Sequence, residues 1–173
     1  AISGDAVTSG SDNVSLGYAA LTSNTIGNSN VAIGSNSMVV NVAADRNVAI
    51  GLGSLQNMTS ATTADTYNTA IGYHAGKLIT TGVQNTIIGG LAGDALTEGD
   101  NNIAIGYHSL SSEILGDRSV AIGNFALKNQ NKTSDTDVYN VAIGYDAGND
   151  ITTGTLNTIM GGLAGSALTT GEK

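Results

Sequence analysis

A short motif, Asn followed by three small or aliphatic residues and then Gly, recurs along the whole chain and fixes what it can fold into. It reads Asn13-Val-Ser-Leu-Gly17, Asn30-Val-Ala-Ile-Gly34 and Asn47-Val-Ala-Ile-Gly51, then Asn68-Thr-Ala-Ile-Gly72, Asn85-Thr-Ile-Ile-Gly89 and Asn102-Ile-Ala-Ile-Gly106. The last three copies are Ser119-Val-Ala-Ile-Gly123, Asn140-Val-Ala-Ile-Gly144 and Asn157-Thr-Ile-Met-Gly161. The step from one motif Gly to the next is seventeen, except from Gly51 to Gly72 and from Gly123 to Gly144, where it is twenty-one. Two copies therefore carry an insertion of four, and a longer unit returns from Gly72 to Gly144. Residues 68–99 and 140–171 agree at most positions, including Gly-Gly-Leu-Ala-Gly at 89–93 and 161–165, which marks a duplication. Self-similarity at a fixed period is the signature of a repeat architecture.

A period of seventeen is too short for a pair of helices, which needs about 33 residues or more. Strong helix formers are scarce, while Gly, Val, Ile, Thr and Asn abound. The expected fold is therefore all-β: a parallel β-solenoid of about nine coils, starting at residues 13, 30, 47, 68, 85, 102, 119, 140 and 157. Residues 1–173 form one continuous segment with no internal domain boundary. Within each coil the motif Asn is counted as position 1. Side chains alternate faces along a strand. Positions 2 and 4, aliphatic or β-branched in all nine coils, are expected to point together into an apolar interior. Positions 1, 3 and 5, mostly Asn, Ala and Gly, would leave a small outer face suited to packing against another copy. Position 8 is always Ala or Ser, where another backbone must come close. Coils rising about 4.8 Å each would make a rod of roughly 43 Å.

Composition fits a thin, regular core. There are 24 Gly, no Pro, Cys or Trp, and only 4% aromatic residues. A net charge of −8, with six scattered basic residues, disfavours nucleic acid and anionic lipid, because both select clustered cations. The absence of Cys excludes disulfides and thiolate metal sites. Residues 13–44 carry no charge but are rich in Asn and Ser, so they do not read as a membrane span. Ala1–Gly10 has neither a basic start nor an apolar stretch, so no signal peptide is expected there. Residues 1–12 fit the back of a tenth coil, and the last coil closes at Lys173. The chain is accordingly expected to be a piece of a longer fibre, or to stack end to end on other copies.

The runs Ser119-Val-Ala-Ile-Gly123 and Asn-Val-Ala-Ile-Gly resemble the head repeats of YadA-like trimeric autotransporter adhesins. The longer unit, as in Asn68-Thr-Ala-Ile-Gly-Tyr-His-Ala-Gly and Thr80-Thr-Gly-Val-Gln-Asn85, is similar to repeats of phage tail fibres and large bacterial surface proteins. The resemblance covers essentially the whole chain and departs from the adhesin repeat in its longer coil. It implies a left-handed parallel β-roll, three copies side by side, standing away from a cell or virion surface. The function this implies is structural and adhesive: a segment of an extracellular trimeric fibre. A phage tail-fibre shaft or receptor-binding segment is the alternative, and a solenoid binding ice or glycan alone is a third class. Expected partners are further copies of the chain and a surface glycan or host receptor, with no nucleic acid and no membrane insertion.

Candidate sites come from what the repeat varies. The two four-residue insertions lengthen the turns ending at Tyr67 and Tyr139, and insertions in a solenoid project from one face that often binds. Asp65, Tyr67, Asp135, Asp137 and Tyr139 are the candidate ligand-facing residues, suited to glycan contacts through hydrogen bonds and ring stacking. Position-1 Asn residues are read as a structural amide ladder. His74 and His108 share position 7 two coils apart, about 10 Å along the axis, too far to share a metal within one chain. Asp94, Asp100, Asp117 and Asp146 are read as falling at different positions, which argues against calcium bridging successive coils. Gly72-Tyr-His-Ala-Gly76-Lys77 misses the phosphate-loop spacing. The Thr pairs at 80–81, 152–153 and 169–170 are too sparse for an ice-binding array. No Ser/His/Asp arrangement, Cys or fixed carboxylate pair is present, so no enzyme activity, catalytic residue, cofactor or metal site is expected.

Overall fold

A computed structural model describes residues 3–60 and 62–171; Ala1 and Lys173, which mark the ends of the repeat frame, lie outside them. The strands in chain order are β1 (Val14–Leu16), β2 (Val31–Ile33), β3 (Ala44–Asp45), β4 (Val48–Ile50), β5 (Ala64–Asp65), β6 (Thr69–Ile71), β7 (Thr86–Ile88), β8 (Ile103–Ile105), β9 (Gly116–Asp117), β10 (Val120–Ile122), β11 (Thr136–Asp137), β12 (Val141–Ile143) and β13 (Thr158–Met160). Nine of them form one sheet in the order β1-β2-β4-β6-β7-β8-β10-β12-β13, and two short bridges, β3 with β5 and β9 with β11, flank it. Every pairing is parallel. Ile33, Ile50, Ile71 and Ile88 stand opposite one another in successive strands, so each coil lies directly above the last. The fold is a parallel β-solenoid of about nine coils.

The interior is lined by different residues from those expected. Position 3 points inward: Ala32, Ala49, Ala70, Ile87, Ala104, Ala121 and Ala142 are completely buried. Positions 2 and 4 point outward, and their Val, Thr and Ile side chains are half-buried by their neighbours above and below or exposed. The reversal has two physical causes. Where a Leu or Met from position 9 fills the coil, the strand can present little more than a methyl inward. The position-1 Asn must also face inward to reach the backbone across the coil, and period-2 alternation then carries position 3 with it.

The remaining core comes from the turn after the strand and the segment facing it. Leu21, Met38, Leu55, Leu110 and Leu127 enter from position 9, and Met58, Ile79, Leu96 and Ile151 from position 12, all fully buried. In two coils a larger residue at position 3 is matched by a smaller one at position 9. Where position 3 enlarges to Ile87, position 9 shrinks to Gly93, whose missing Cβ would lie 3.1 Å from Ile87 Cδ1. Ile159 and Gly165 repeat the exchange at the same 3.1 Å. Such compensation is what a close-packed interior demands.

The invariant Gly at position 5 has two separate reasons. Gly89 has φ +135°, and a Cβ there would sit 2.5 Å from the carbonyl oxygen of Gly106 in the next coil. Position 7, position 9 and the last position of a coil also take left-handed backbone, occupied by residues as large as Phe125, Leu127 and Tyr139.

Amides stitch the coils together inside. The Oδ1 of each position-1 Asn accepts the backbone N–H of the same position one coil on, as in Asn85 to Asn68 (3.0 Å) and Asn102 to Asn85 (2.9 Å). In the regular coils the Nδ2 donates across the coil to the position-15 carbonyl, at 2.8 Å for Asn68 to Gly82, Asn85 to Gly99 and Asn102 to Gly116, whereas Asn47 Nδ2, at the first insertion, donates to the Asp45 carbonyl. Every buried side-chain nitrogen and oxygen among the described residues has a partner, as burial of polar groups requires.

Candidate functional site

The two insertions differ from the regular coil by more than length. In the first, β3 and β5 pair Ala44 with Ala64 and Asp45 with Asp65. Thr66 is the extra residue before the frame resumes. It turns inward, almost fully buried, and its hydroxyl donates to Asn47 Oδ1 at 2.8 Å. In the second insertion, β9 and β11 pair in the same way, and Val138 fills the equivalent place, completely buried. The inserted residues thus return to the sheet through a one-residue bulge, which bends a strand locally and re-aims the side chains just beyond it. Tyr67 and Tyr139 then leave with positive φ, +51° and +54°.

That geometry brings four of the five candidate residues together in two matching clusters. Asp65 forms an ion pair with Arg46, and Tyr67 Oη donates to Asp65 Oδ2 at 3.1 Å. Arg46 Cζ lies 5.8 Å from the centroid of the Tyr67 ring, closing the triangle. Asp137, Arg118 and Tyr139 repeat it, with a 3.2 Å hydrogen bond and a 5.9 Å cation–ring distance. The side chains of the paired Asp and Arg are 44–49% exposed. At such exposure each ion pair contributes about 0–1 kcal/mol, so the clusters orient the loop exits more than they stabilise the fold. Arg46 and Arg118 were missed in the sequence. The available signal was that each closes the coil just before one that a Tyr closes, and that the Arg46/Tyr67 pair returns as Arg118/Tyr139 one long unit further on.

Asp135 does not join its cluster; its carboxylate instead lies near that of Asp117. Burial pushes the Asp117 carboxyl above the usual carboxylate range, and the charges of Asp100 and Asp135 push the same way against a backbone hydrogen bond from Asp100. Asp100 and Asp117 therefore share position 16, correcting the reading that placed them at different positions. Their carboxylates are consumed by the coil before: Asp117 Oδ1 accepts Asp100 N–H at 2.6 Å, and Asp100 Oδ1 accepts Val83 N–H at 2.7 Å. Among the described residues, no group of three or more His, Cys, Asp or Glu is placed to hold a metal ion.

Beneath the second insertion lies a buried polar cluster in which Glu113 and Gln130 take the place that Asn41 and Met58 hold at the first. Glu113 is fully buried at position 12, where most coils put an aliphatic group. Its Oε1 accepts the N–H groups of Gly116 (2.9 Å), Ile114 (3.0 Å) and Lys132 (2.8 Å), and its Oε2 accepts Gln130 Nε2 at 2.7 Å. Gln130 also donates to Ser119 Oγ at 2.9 Å and accepts from Asn140 Nδ2 at 2.8 Å. This explains why position 1 is Ser only here: the Gln side chain occupies the place of the missing amide.

The other singled-out residues have structural environments. His74 stacks on Tyr73 with centroids 4.0 Å apart, and His108 lies against Tyr107 and Phe125. Burial lowers the His74 pKa, with Lys77 adding to it and Asp94 opposing, while burial raises that of Asp94. The hydroxyls of Thr80 and Thr152 point into the ladder and donate to the carbonyls of Thr97 and Thr169.

The architecture is that of a parallel β-solenoid whose regular coils carry two displayed loops. Comparison with protein-family models, curated proteins and solved structures returns no match to this chain.

Proposed function

We propose that this chain is a structural and adhesive segment of an extracellular fibre on a cell or virion surface, in which three copies lie side by side and the insertion loops project. The observation that carries the reading is the outward placement of the aliphatic columns. Along nine strands the chain presents Val, Thr or Ile at position 2 and Ile, Leu or Met at position 4 to the outside. Ile71 in this column is 36% exposed. Continuous apolar stripes on a soluble protein mark interaction surfaces. A stripe made of the same residue types in every coil is matched in length by another copy of itself, so a homo-oligomer covers it from end to end. The resemblance to trimeric adhesin repeats supports three as the number. The interface is thus the opposite face from the one expected from sequence: the aliphatic side seals the copies together, and the Ala and Asn side forms each chain's own core.

Native mass spectrometry and sedimentation of the 173-residue chain test this. Three copies are expected, and Ile105→Asp with Ile122→Asp should give a folded monomer. A wild-type chain that stays monomeric at tens of micromolar, about the range where weak specific interfaces assemble, overturns the reading.

A further inference from the structure

No aromatic side chain among the described residues is buried, although aromatics normally supply the largest buried areas of a core. Four of the six Tyr share position 6: Tyr18, Tyr73, Tyr107 and Tyr145. The last three recur every second coil, which places them about 9.6 Å apart along the axis at the spacing of paired strands. The intervening coils carry Gly90 and Asn124 there. Tyr107 leans over Gly90, its ring atoms 3.5 and 3.9 Å from where a Cβ would stand.

Neighbouring rings hold these platforms. Phe125 meets Tyr107 edge-on at 5.6 Å and 82°, and Tyr145 at 6.1 Å and 86°. His108 touches Tyr107 at 4.4 Å. Tyr73, Tyr107 and Tyr145 remain 53%, 47% and 56% exposed. The hydroxyls of Tyr67 and Tyr139 are engaged by Asp65 and Asp137; those of Tyr73, Tyr107 and Tyr145 meet no protein partner among the described residues.

We propose that this corner is a binding track for an extended, uncharged polysaccharide whose pyranose rings stack on Tyr73, Tyr107 and Tyr145. A pyranose offers an apolar C–H face bordered by hydroxyls, which complements a ring carrying a phenol or imidazole at its edge. Rigid Tyr side chains present such area at low entropic cost. Charge selects against the other ligands that stack on aromatic rows. Single-stranded nucleic acid needs a cationic groove, whereas here Lys77 and Lys128 are balanced by Asp94 and Asp146, and Lys128 Nζ already sits over the Phe125 ring at 5.5 Å. Polyproline segments need an aromatic-lined groove, whereas these rings ride on the outside of a turn. The track is separate from the insertion clusters at the coil ends, and the proposal goes beyond the fibre reading without resting on it.

The test is titration of the 173-residue chain with cellohexaose and with chitohexaose, read by saturation-transfer NMR and by tyrosine emission, which no Trp obscures. At least one hexasaccharide should bind with a dissociation constant of about 1 mM or tighter. Tyr107→Ala and Tyr145→Ala should each weaken it about tenfold, while Val40→Ala, at an exposed site outside the track, should leave it unchanged. All three sites are exposed, and far-UV circular dichroism confirms that the variants fold. Failure of both sugars to bind, binding that survives the Tyr107→Ala/Tyr145→Ala double variant, or preference for a decaproline peptide would each overturn the proposal.

Discussion

The inner and outer faces of the nine-stranded column are built from neighbouring residues of the same strands, yet they obey different rules. On the inner face, Asn and Ala dominate, because most position-1 Asn side chains span to a carbonyl across the coil and most position-3 side chains are packed against a position-9 Leu or Met. Ile87 and Ile159 enter only where position 9 is Gly. On the outer face, Val, Thr and Ile interchange at position 2, and Leu, Ile and Met at position 4. Along these strands, side-chain hydrophobicity is therefore greater outside than inside. In a coil this narrow, the strand's interior residues are selected by size and hydrogen-bonding reach, and hydrophobicity is left for the surface that meets another molecule.

Substitutions can sharpen or break that contrast. The largest effect is expected at the turn ending the strand: Gly89→Ala forces a side chain into the Gly106 carbonyl at a positive φ. It should cost about 4 kcal/mol or more, whereas Gly162→Ala, with nothing within 4 Å, should be nearly neutral. Chemical denaturation of the pair measures the difference. Next, Asn102→Ala orphans the N–H of Ser119 and the carbonyl of Gly116. The expected loss is about 2–4 kcal/mol, and hydrogen exchange should accelerate first in the coils starting at 102 and 119.

Ala104→Leu on the inner face should lose about 1–3 kcal/mol by overpacking. Its outer neighbour Ile105→Thr should change the stability of an isolated chain by less than about 1 kcal/mol. Equal effects at 104 and 105 would contradict the contrast between faces. The smallest effect belongs to Asp117→Asn. Folding raises the pKa of this carboxyl, so the fold favours its protonated form. Its contribution is fully favourable below the ordinary carboxylate range and is lost as pH rises through the elevated folded value. The amide keeps an oxygen for Asp100 N–H and carries no charge. The variant should therefore melt about 1–3 °C higher than the parent at pH 7, with the gap vanishing near pH 3 in a calorimetric series.

The column of Ile33, Ile50, Ile71 and Ile88 was legible in the sequence because the period alone determines which residues stack. Which face lies inside was not, because alternation groups residues without orienting the group. The deciding facts, the reach of Asn85 to Gly99 and the complete burial of Ala104, arise across the coil and no linear pattern contains them. The insertions at Tyr67 and Tyr139 were found from spacing, but their Arg partners come from the preceding coil, a whole insertion-bearing turn away along the chain. The shared position of Asp100 and Asp117 was available by counting. The buried Glu113 was not, since a lone Glu in a repeat usually reads as surface.

The coil-to-coil rung of the amide ladder crosses the first insertion at the same length: Asn68 N–H reaches Asn47 Oδ1 at 3.0 Å across the lengthened coil, as Asn85 N–H reaches Asn68 Oδ1 across a regular one. The stack is thus blind to how much polypeptide is spent at that corner. Evolution, or a protein engineer, can lengthen or replace the excursion there and vary what the rod displays while its body keeps the same pitch.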